Sequence, residues 1–495
     1  MAKSDSHGRY VITPAQILER FLINGSMGPV YKANDKFADF PLDVVASVKT
    51  IFECFPQEAI RVLREVSDNR KAPRKPPVLL ALAAALSTAD TRQHAAPIAE
   101  REIVTGTDQF VLTKAMLDLG RGKGTSFKKF SSKLYSKYDT VENRDQLALN
   151  LIKYRNRAGW THRDILRVTH YSPTKENNDL FAWVVGKGPA SHPLLEGFEK
   201  ACKITTPGEA IALLGEYVGL PWEALPTSVL TSPEVWEALL PNLGNTALIR
   251  NLGRMQSYKM DLSGLSERIV RACSRLHPVA ALSAYKVYGQ GCGEKGSLSW
   301  RPDSKVSEAL EAGFYSSFGN LKKSEKKVFF GIDVSGSMAS PSTLTGVACR
   351  EVAGAMAMAA LRQQPYMIYG FTRSLVPLDI RHTHRLDSVL RTISRVDWGS
   401  TNCAAPMEFC LQNKIPDVDV FAIYTDNDTN SRSRPNEALN RYREKFNPNA
   451  KMAVVATSGG PFSIADPNDP GMMDFVGFDP TVPEVMLSFA EKTLV

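Results

Sequence analysis

Oxygen-bearing side chains follow the first strongly apolar strand pattern in this chain of 495 residues. The apolar run VFFGI leads directly into residues 333–337 (DVSGS), and a later run, FAIY, leads into residues 425–426 (TD). Between them, residues 399–401 (GST) open another loop. Carboxylate and hydroxyl oxygens are hard ligands of the kind that Mg²⁺ and Mn²⁺ prefer. The pattern predicts a Mg²⁺ or Mn²⁺ site whose ligands are Asp333, Ser335, Ser337, Thr401 and Asp426.

A plain turn is the alternative for the first of these segments. Residues 333–337 could connect a strand to a helix, with the Ser337 hydroxyl capping that helix. This alternative leaves Thr401 and Asp426 unexplained, since they stand at the ends of successive later elements. In an open parallel sheet the carboxyl ends of the strands meet at one edge. We therefore favour the metal site, with one coordination position left for water or an acidic ligand.

The charge of the chain is concentrated in one segment. Residues 121–170 contain twelve Lys and Arg against four Asp and Glu, so this segment alone accounts for the formal net charge of +8. A local excess of this kind is typical of a surface that binds a polyanion, although a solvated helix face is the alternative.

A short helix is predicted at residues 161–170 (THRDILRVTH), because Thr161 and Asp164 have the spacing of a capping box. At about 100° per residue, one face carries arginine and histidine side chains while Ile165 and Val168 point to the other. Arginine and histidine can pair with phosphates and stack on bases, which suits unpaired RNA. The predicted RNA-binding residues are Lys128, Lys129, Lys133, Lys153, Arg155, Arg157, His162, Arg163, Arg167 and His170.

The elements that must position these residues fall into two classes. Ten segments between residues 15 and 276 have helical spacing and are joined by short Pro/Gly turns, which suits stacked helices. After the connector LKKSEKK the apolar segments alternate between strand and helix. The predicted strands are 327–332, 366–371, 418–424 and 452–456. We expect an all-α domain over residues 1–322 and, over 323–495, a parallel sheet covered by helices on both faces.

Composition excludes several classes of protein. No apolar run reaches the roughly 18 residues that cross a bilayer, and the N-terminus MAKSDSHGRY has no signal-peptide pattern. The seven cysteines are scattered without a C-x-x-C pair, as expected for reduced thiols in the cytoplasm. The predicted metal ligands include few carboxylates and no neighbouring histidine, so we expect that the protein is not an enzyme.

The metal-site residues bear a family resemblance. Their order resembles the metal-ion-dependent adhesion site of von Willebrand factor A domains. In that family the two serines and the threonine contact the ion, here Ser335, Ser337 and Thr401. The aspartates, here Asp333 and Asp426, hold the ion directly or through water.

The helical half resembles the Ro (TROVE-domain) ribonucleoprotein family, and the resemblance runs nearly end to end. The matching segments are 20–26 (RFLINGS), 159–170 (GWTHRDILRVTH), 235–241 (VWEALLP), 246–253 (TALIRNLG), 299–302 (SWRP) and 464–467 (IADP).

What the Ro resemblance implies is a multidomain fold, in which a monomeric ring of HEAT-like helices is followed by a Rossmann-like, doubly wound A domain. It also implies RNA quality control. Small structured non-coding (Y-like) RNAs would bind the basic outer face, and single-stranded 3′ ends of misfolded RNAs would enter the ring. The expected protein partner is a 3′-to-5′ exoribonuclease or an acidic protein ligand at the metal. No membrane association is expected. The alternative is a metal-dependent protein-interaction module whose A domain recruits an acidic partner, with the ring as scaffold.

Overall fold

The computed structural model describes residues 12–33, 40–69, 72, 74–157, 159–293, 297–321, 324–344, 346–363, 366–381, 383–395, 401–426, 434–458 and 464–491. The chain divides into two compact units, one of Met1–Asp35 with Leu262–Val495 and one of Lys36–Asp261. We call them the sheet unit and the helical unit. The predicted boundary at residue 322 marks the change from helices to strands along the sequence, and as a domain limit it stays a prediction.

Helices dominate the first two thirds of the chain. They are α1 (Pro14–Asn24), α2 (Leu42–Cys54), α3 (Pro56–Asp68), α4 (Lys75–Ser87), α5 (Ala89–Glu102), α6 (Gly106–Asp118), α7 (Thr125–Ser131), α8 (Lys133–Tyr138), α9 (Arg144–Lys153), α10 (His162–Thr169), α11 (Asn178–Val184), α12 (Pro193–Ala201), α13 (Pro207–Glu216), α14 (Pro233–Leu239), α15 (Asn245–Ser257), α16 (Ser266–Cys273), α17 (Pro278–Gln290), α18 (Ser304–Ser317), α19 (Cys349–Gln363), α20 (Leu386–Ser394), α21 (Ala405–Gln412), α22 (Pro435–Lys445) and α23 (Val482–Glu491).

Local sequence explains where several helices begin and how they pack. α1 starts at a capping box between Thr13 and Gln16, and it ends at Gly25, whose φ of 77° favours glycine. α4 is buried from Pro77 to Ser87, and its alanines let α2, α5 and α6 pack closely around it. None of the described helices is long and apolar enough to cross a membrane. The structure describes all seven cysteines, and no disulfide joins any of them.

The strands form one large sheet and one hairpin. They are β1 (Val30–Lys32), β2 (Asn156–Arg157), β3 (Trp160–Thr161), β4 (Val328–Asp333), β5 (Tyr366–Phe371), β6 (Leu375–Pro377), β7 (Val420–Thr425), β8 (Lys451–Ala456) and β9 (Met472–Val476). The large sheet has the order β1-β9-β8-β7-β4-β5-β6, and β2 pairs with β3. All neighbours in the large sheet are parallel except β5 and β6.

The predicted fold class is confirmed: a helical N-terminal region is followed by a parallel-sheet domain. All four predicted strands are present as β4, β5, β7 and β8. Periodicity missed the edges of the sheet. The N-terminal segment was expected to be helical throughout, yet it supplies β1, which pairs with β9. α19 begins at Cys349, after a β-bridge between Pro341 and Ala348.

Candidate metal centre and nucleic-acid interface

Asp333 is the last residue of β4 and is fully buried. Its Oδ1 accepts a hydrogen bond from the Ser335 amide at 2.9 Å. Its Oδ2 accepts one from the Thr425 hydroxyl at 3.0 Å and one from the Thr401 hydroxyl at 3.4 Å. The carboxylate is therefore fixed where β4 and its neighbour β7 end together, as the parallel register requires.

The other hydroxyl groups approach the same edge from two loops. The Oγ atoms of Ser335 and Ser337 lie 2.9 Å apart. Thr401 is buried, and the next residue, Asn402, donates its amide hydrogen to the Thr372 carbonyl at 2.8 Å. That hydrogen bond attaches the Thr401 loop to the chain that leaves β5. Gly399 and Ser400 lie outside the described residues.

Asp426 follows β7 and completes the predicted ligand set. Its Oδ1 is buried, and it has no hydrogen-bond partner among the described residues. Burial raises the pKa of the Asp333 carboxyl above its ordinary value, and the negative charge of Asp426 raises it further. Two carboxyl groups close together in a buried place repel each other unless a cation or a proton lies between them. The donors are all oxygen atoms, so the residues present fit a hard divalent cation.

One residue of this edge was not predicted as part of the site. Thr425, which precedes Asp426, holds Asp333 through its hydroxyl; its place at the end of the FAIYT strand was the signal that could have identified it. Within the described ranges there is no group of three or more His, Cys, Asp or Glu side chains that could hold a metal. A site at this edge would therefore depend on hydroxyl ligands.

The predicted basic helix is present as α10. Thr161 and Asp164 form the expected capping box. Arg163, Arg167 and His170 are exposed, and these residues have no ion-pair partner in the described part of the chain. Arg163 and Arg167 lie one turn apart on one face of α10, and His170 is the C-cap residue at the end of the helix. We call these three residues the α10 face.

The prediction that His162 shares this face is wrong. His162 is only 4% exposed and lies with Ile165 and Thr169 on the buried side of α10. Its Nε2 lies 3.3 Å from the Asn150 carbonyl oxygen, which can only accept, so the ring proton is on Nε2. Nδ1 is then the acceptor for the Tyr135 hydroxyl at 2.8 Å. Burial lowers the pKa of His162 to about 4. The side chain is therefore a neutral part of the core.

This buried imidazole should make stability depend on pH. The unfolded chain binds a proton to His162 near pH 6.5, whereas the folded chain binds one only near pH 4. The unfolded state therefore holds more protons between these values, and the free energy of unfolding falls as pH is lowered through that window. We expect His162 to contribute about 3 kcal/mol of this loss. Urea unfolding at a series of pH values would measure it.

The matched variant is His162→Gln, which keeps a hydrogen-bonding side chain but cannot titrate. Its free energy of unfolding should change less than that of the wild type between pH 6.5 and 4, while its RNA affinity at neutral pH stays unchanged. Parallel pH profiles for the two proteins would contradict the assignment.

The predicted lysines differ in how much charge they offer to a ligand. Glu100 lies between Lys129 and Lys133, at 3.1 and 3.0 Å. Although partial burial alone would raise the pKa of the Glu100 carboxyl, hydrogen bonds from Lys133 and Lys129 hold it below its ordinary value. The Lys133 side chain is only 12% exposed. Lys133 is therefore wrongly predicted as a surface cation, because it is packed into an intramolecular ion pair.

The remaining predicted residues are distributed around α7, α9 and the hairpin. Lys128, Lys153 and Arg155 are exposed, and the Arg155 guanidinium lies 5.0 Å from the centroid of the Phe198 ring. The side chain of Arg157 lies outside the described part of the structure. α7, which carries Lys128, packs against α10.

Other charged residues of the basic segment build the scaffold of this region. Asp139 is buried and accepts hydrogen bonds from the Tyr171 hydroxyl at 2.8 Å and from the Thr174 amide at 2.8 Å. Arg144 contacts both carboxylate oxygens of Asp179. These bonds hold the loop that follows α10, so part of the local charge excess has a structural role.

Models of two known domain families match segments in the two halves of the chain. Residues 327–490 match the family model "Ro60 vWA domain", and residues 219–284 match the "TROVE domain" model. RNA-binding protein RO60 of Deinococcus radiodurans is 32% identical over 505 residues, which cover 97% of this chain and 93% of that protein. RNA-binding protein RO60 of Caenorhabditis elegans is 33% identical, covering 72% of this chain and 64% of that protein. The crystal structure of the Deinococcus radiodurans RO (RSR) protein has a TM-score of 0.86 and covers 97% of this chain and 99% of its own.

Proposed function

Because the chain belongs to the Ro family of RNA-binding proteins with a C-terminal von Willebrand factor A domain, we propose that it binds small structured, Y-like RNAs through the α10 face. The observation that carries this proposal is the exposure of two arginines and a histidine, Arg163, Arg167 and His170, without acidic partners in the described chain. Unpaired arginines on one rigid helix face are suited to phosphate contacts. The protein acts in this proposal as a binding component and not as an enzyme.

The wider role that we propose is RNA quality control in the cytoplasm. Single-stranded 3′ ends of misfolded RNAs are the second RNA ligand, and a 3′-to-5′ exoribonuclease is the proposed protein partner. This part of the proposal depends on the family resemblance. It agrees with the relatives, whose names describe RNA binding.

Identification of the bound RNA tests this function. RNA that copurifies with the wild type would be cross-linked and sequenced, in parallel with an Arg163→Ala/Arg167→Ala/His170→Ala variant that leaves the buried His162 intact. We expect discrete small structured RNAs with the wild type and their loss from the variant. RNA at background level in both samples would refute the proposal.

A second candidate function concerns the A domain. We propose that Asp333, Ser335, Ser337, Thr401 and Asp426 hold Mg²⁺, with Mn²⁺ as a substitute, and that the ion leaves a coordination position for an acidic protein ligand. The buried Oδ1 of Asp426, which lacks a partner among the described residues, favours this function. The bound cation would offset the repulsion between the two carboxylates and supply a Lewis-acidic contact for a partner carboxylate.

Removal of the Asp333 carboxylate should separate metal binding from RNA binding. In the wild type, Mg²⁺ should raise the melting temperature, because a ligand that binds only the folded state stabilises it. Asp333→Ala should abolish this increase and leave RNA affinity within about twofold, since the α10 face lies in the other unit. Differential scanning fluorimetry with and without Mg²⁺, together with filter binding, measures both.

Asp387→Ala is the matched control, because Asp387 is an exposed aspartate in the same unit, paired with Arg391 on the surface of α20. It should retain the full Mg²⁺ response. A response in Asp333→Ala equal to that of the wild type would exclude Asp333 as a ligand.

A further inference from the structure

A pocket in the helical unit lies apart from the α10 face. Its volume is about 640 Å³, within the size range of pockets that hold small ligands. Its walls come from α9, from the turn over residues 219–223 and from α15 between Asn245 and Arg254. Both the 219–223 turn and α15 fall inside the segment that matches the TROVE model. Neither the predicted metal site nor the α10 face includes these walls.

Three cationic side chains line this pocket, namely Lys153, Arg250 and Arg254, against the single acidic lining residue Glu223. Arg250 and Arg254 lie four residues apart on α15, and neither forms an ion pair in the described part of the chain. Like charges at this spacing repel each other and destabilise a helix. A pair of arginines without acidic partners beside a cavity is therefore better explained by an anionic ligand than by stability.

The helix that carries the arginines also directs backbone donors toward the pocket. α15 begins after Gly244, which provides no side-chain cap. Residues 244–247 all line the pocket. The amide groups of the first turn are thus left to water or to a ligand, and the positive end of the helix dipole favours an anion.

One aromatic side chain on the pocket wall packs against a second aromatic ring. Trp222 is half-buried, and its ring packs 6.1 Å from that of Trp236, at an interplanar angle of 34°. Trp236 is fully buried, and its Nε1 donates to the Leu230 carbonyl at 2.9 Å. The Trp222 ring therefore packs against a buried ring. An unpaired base can stack on such a tryptophan while neighbouring cations neutralise its phosphate.

We propose that this pocket binds one unpaired nucleotide of an RNA strand, with the base on Trp222 and the phosphate held by Arg250, Arg254 and Lys153. The inference rests on the proposed RNA-binding function and adds a second site to it. The pocket recognises a single nucleotide in an extended strand, whereas the α10 face contacts the phosphates of a structured RNA.

The test uses the full chain and two probes, a 5′-labelled single strand of ten uridines and a structured small RNA that copurifies with the wild type. Trp222→Ala and Arg250→Ala/Arg254→Ala should each raise the Kd for the single strand about tenfold. Both should bind the structured RNA within twofold of the wild type. Trp222→Phe should restore single-strand binding, because a stacking surface remains. Arg163→Ala/Arg167→Ala should show the opposite selectivity.

Exposed cations elsewhere in the helical unit provide the charge control. Arg64→Ala/Lys203→Ala removes the same charge from sites that do not line the pocket, and it should not change the Kd for the single strand. If the wild type binds the single strand and all pocket variants bind it equally well, the pocket inference is overturned while RNA binding stands. If the wild type binds neither probe, the proposed function falls. The arginine variants, whose side chains lie outside the core, decide the question even if Trp222→Ala does not fold.

Discussion

Replacing Arg163 and Arg167 together by glutamate is expected to weaken binding of the structured RNA at least about a hundredfold. Each charge-assisted hydrogen bond to a phosphate contributes roughly 1.5–3 kcal/mol, and two such bonds are lost. The slope of log K against log salt concentration should also flatten by roughly 1.5, since two fewer counterions are released. Affinity measured by fluorescence anisotropy at several salt concentrations gives both quantities.

Control variants distinguish a local contact from a general effect of charge. Arg64→Glu/Lys203→Glu changes the net charge by the same amount at exposed positions outside α7 and α10, and it should shift affinity much less. Lys133→Ala should have little effect, because its side chain is engaged with Glu100. Equal losses of affinity in the two glutamate variants would show that the interaction is non-specific and would refute RNA binding by the α10 face.

The fold could be predicted from sequence wherever one physical signal was strong. Buried strands such as Val328–Asp333 and Val420–Thr425 are continuous apolar runs, and their type and order followed from that pattern. The edges could not be predicted in this way. β1 has three residues and exists because β9 supplies its hydrogen-bonding partner. A pairing between residues more than 400 positions apart leaves no trace in local periodicity.

The candidate sites also contain parts that local sequence predicts and parts that it does not. The clustering of oxygen-bearing side chains at strand ends could be predicted because parallel strands end at one edge, and the structure brings Asp333, Ser335 and Thr401 into hydrogen-bonded contact. Their role as metal ligands stays a prediction. Helical geometry alone misassigned His162. Its angle on the wheel lies near the border between the two faces, and the decision came from Tyr135, which lies 27 residues away and meets its Nδ1. Tertiary partners of this kind decide whether a polar residue at such a border is a ligand or part of the core.

A buried ion pair in the sheet unit links α22 to the segment that contains Asp469. The side chains of Arg443 on α22 and Asp469 are 3% and 2% exposed. Arg443 contacts both oxygens of the carboxylate and donates through Nε to the Ala450 carbonyl at 2.7 Å. Arg20 of α1 donates to the carbonyls of Pro467 and Asp469, each at 2.9 Å. The segments 20–26 and 464–467, which carry part of the family resemblance, are therefore joined.

Breaking this pair from one side should have the largest effect on stability. Asp469→Ala leaves the Arg443 guanidinium buried without a counter-charge, and such a change typically costs about 3–5 kcal/mol. The amide of Gly471, which donates to Asp469 Oδ1 at 2.8 Å, also loses its acceptor. Equilibrium urea unfolding measures the loss in free energy of unfolding.

A double variant separates the cost of an unpaired charge from the worth of the pair. Arg443→Met/Asp469→Leu removes both charges and fills similar space, so it should be markedly more stable than Asp469→Ala. Glu444→Ala, at the exposed neighbouring position on α22, should lie within about 0.5 kcal/mol of the wild type. If the double variant is as unstable as the single one, the pair itself stabilises the fold, and the joining of α22 to the 464–469 segment depends on charge and not on packing. If Asp469→Ala loses less than about 1 kcal/mol, water reaches Arg443 and the pair is not a buried anchor.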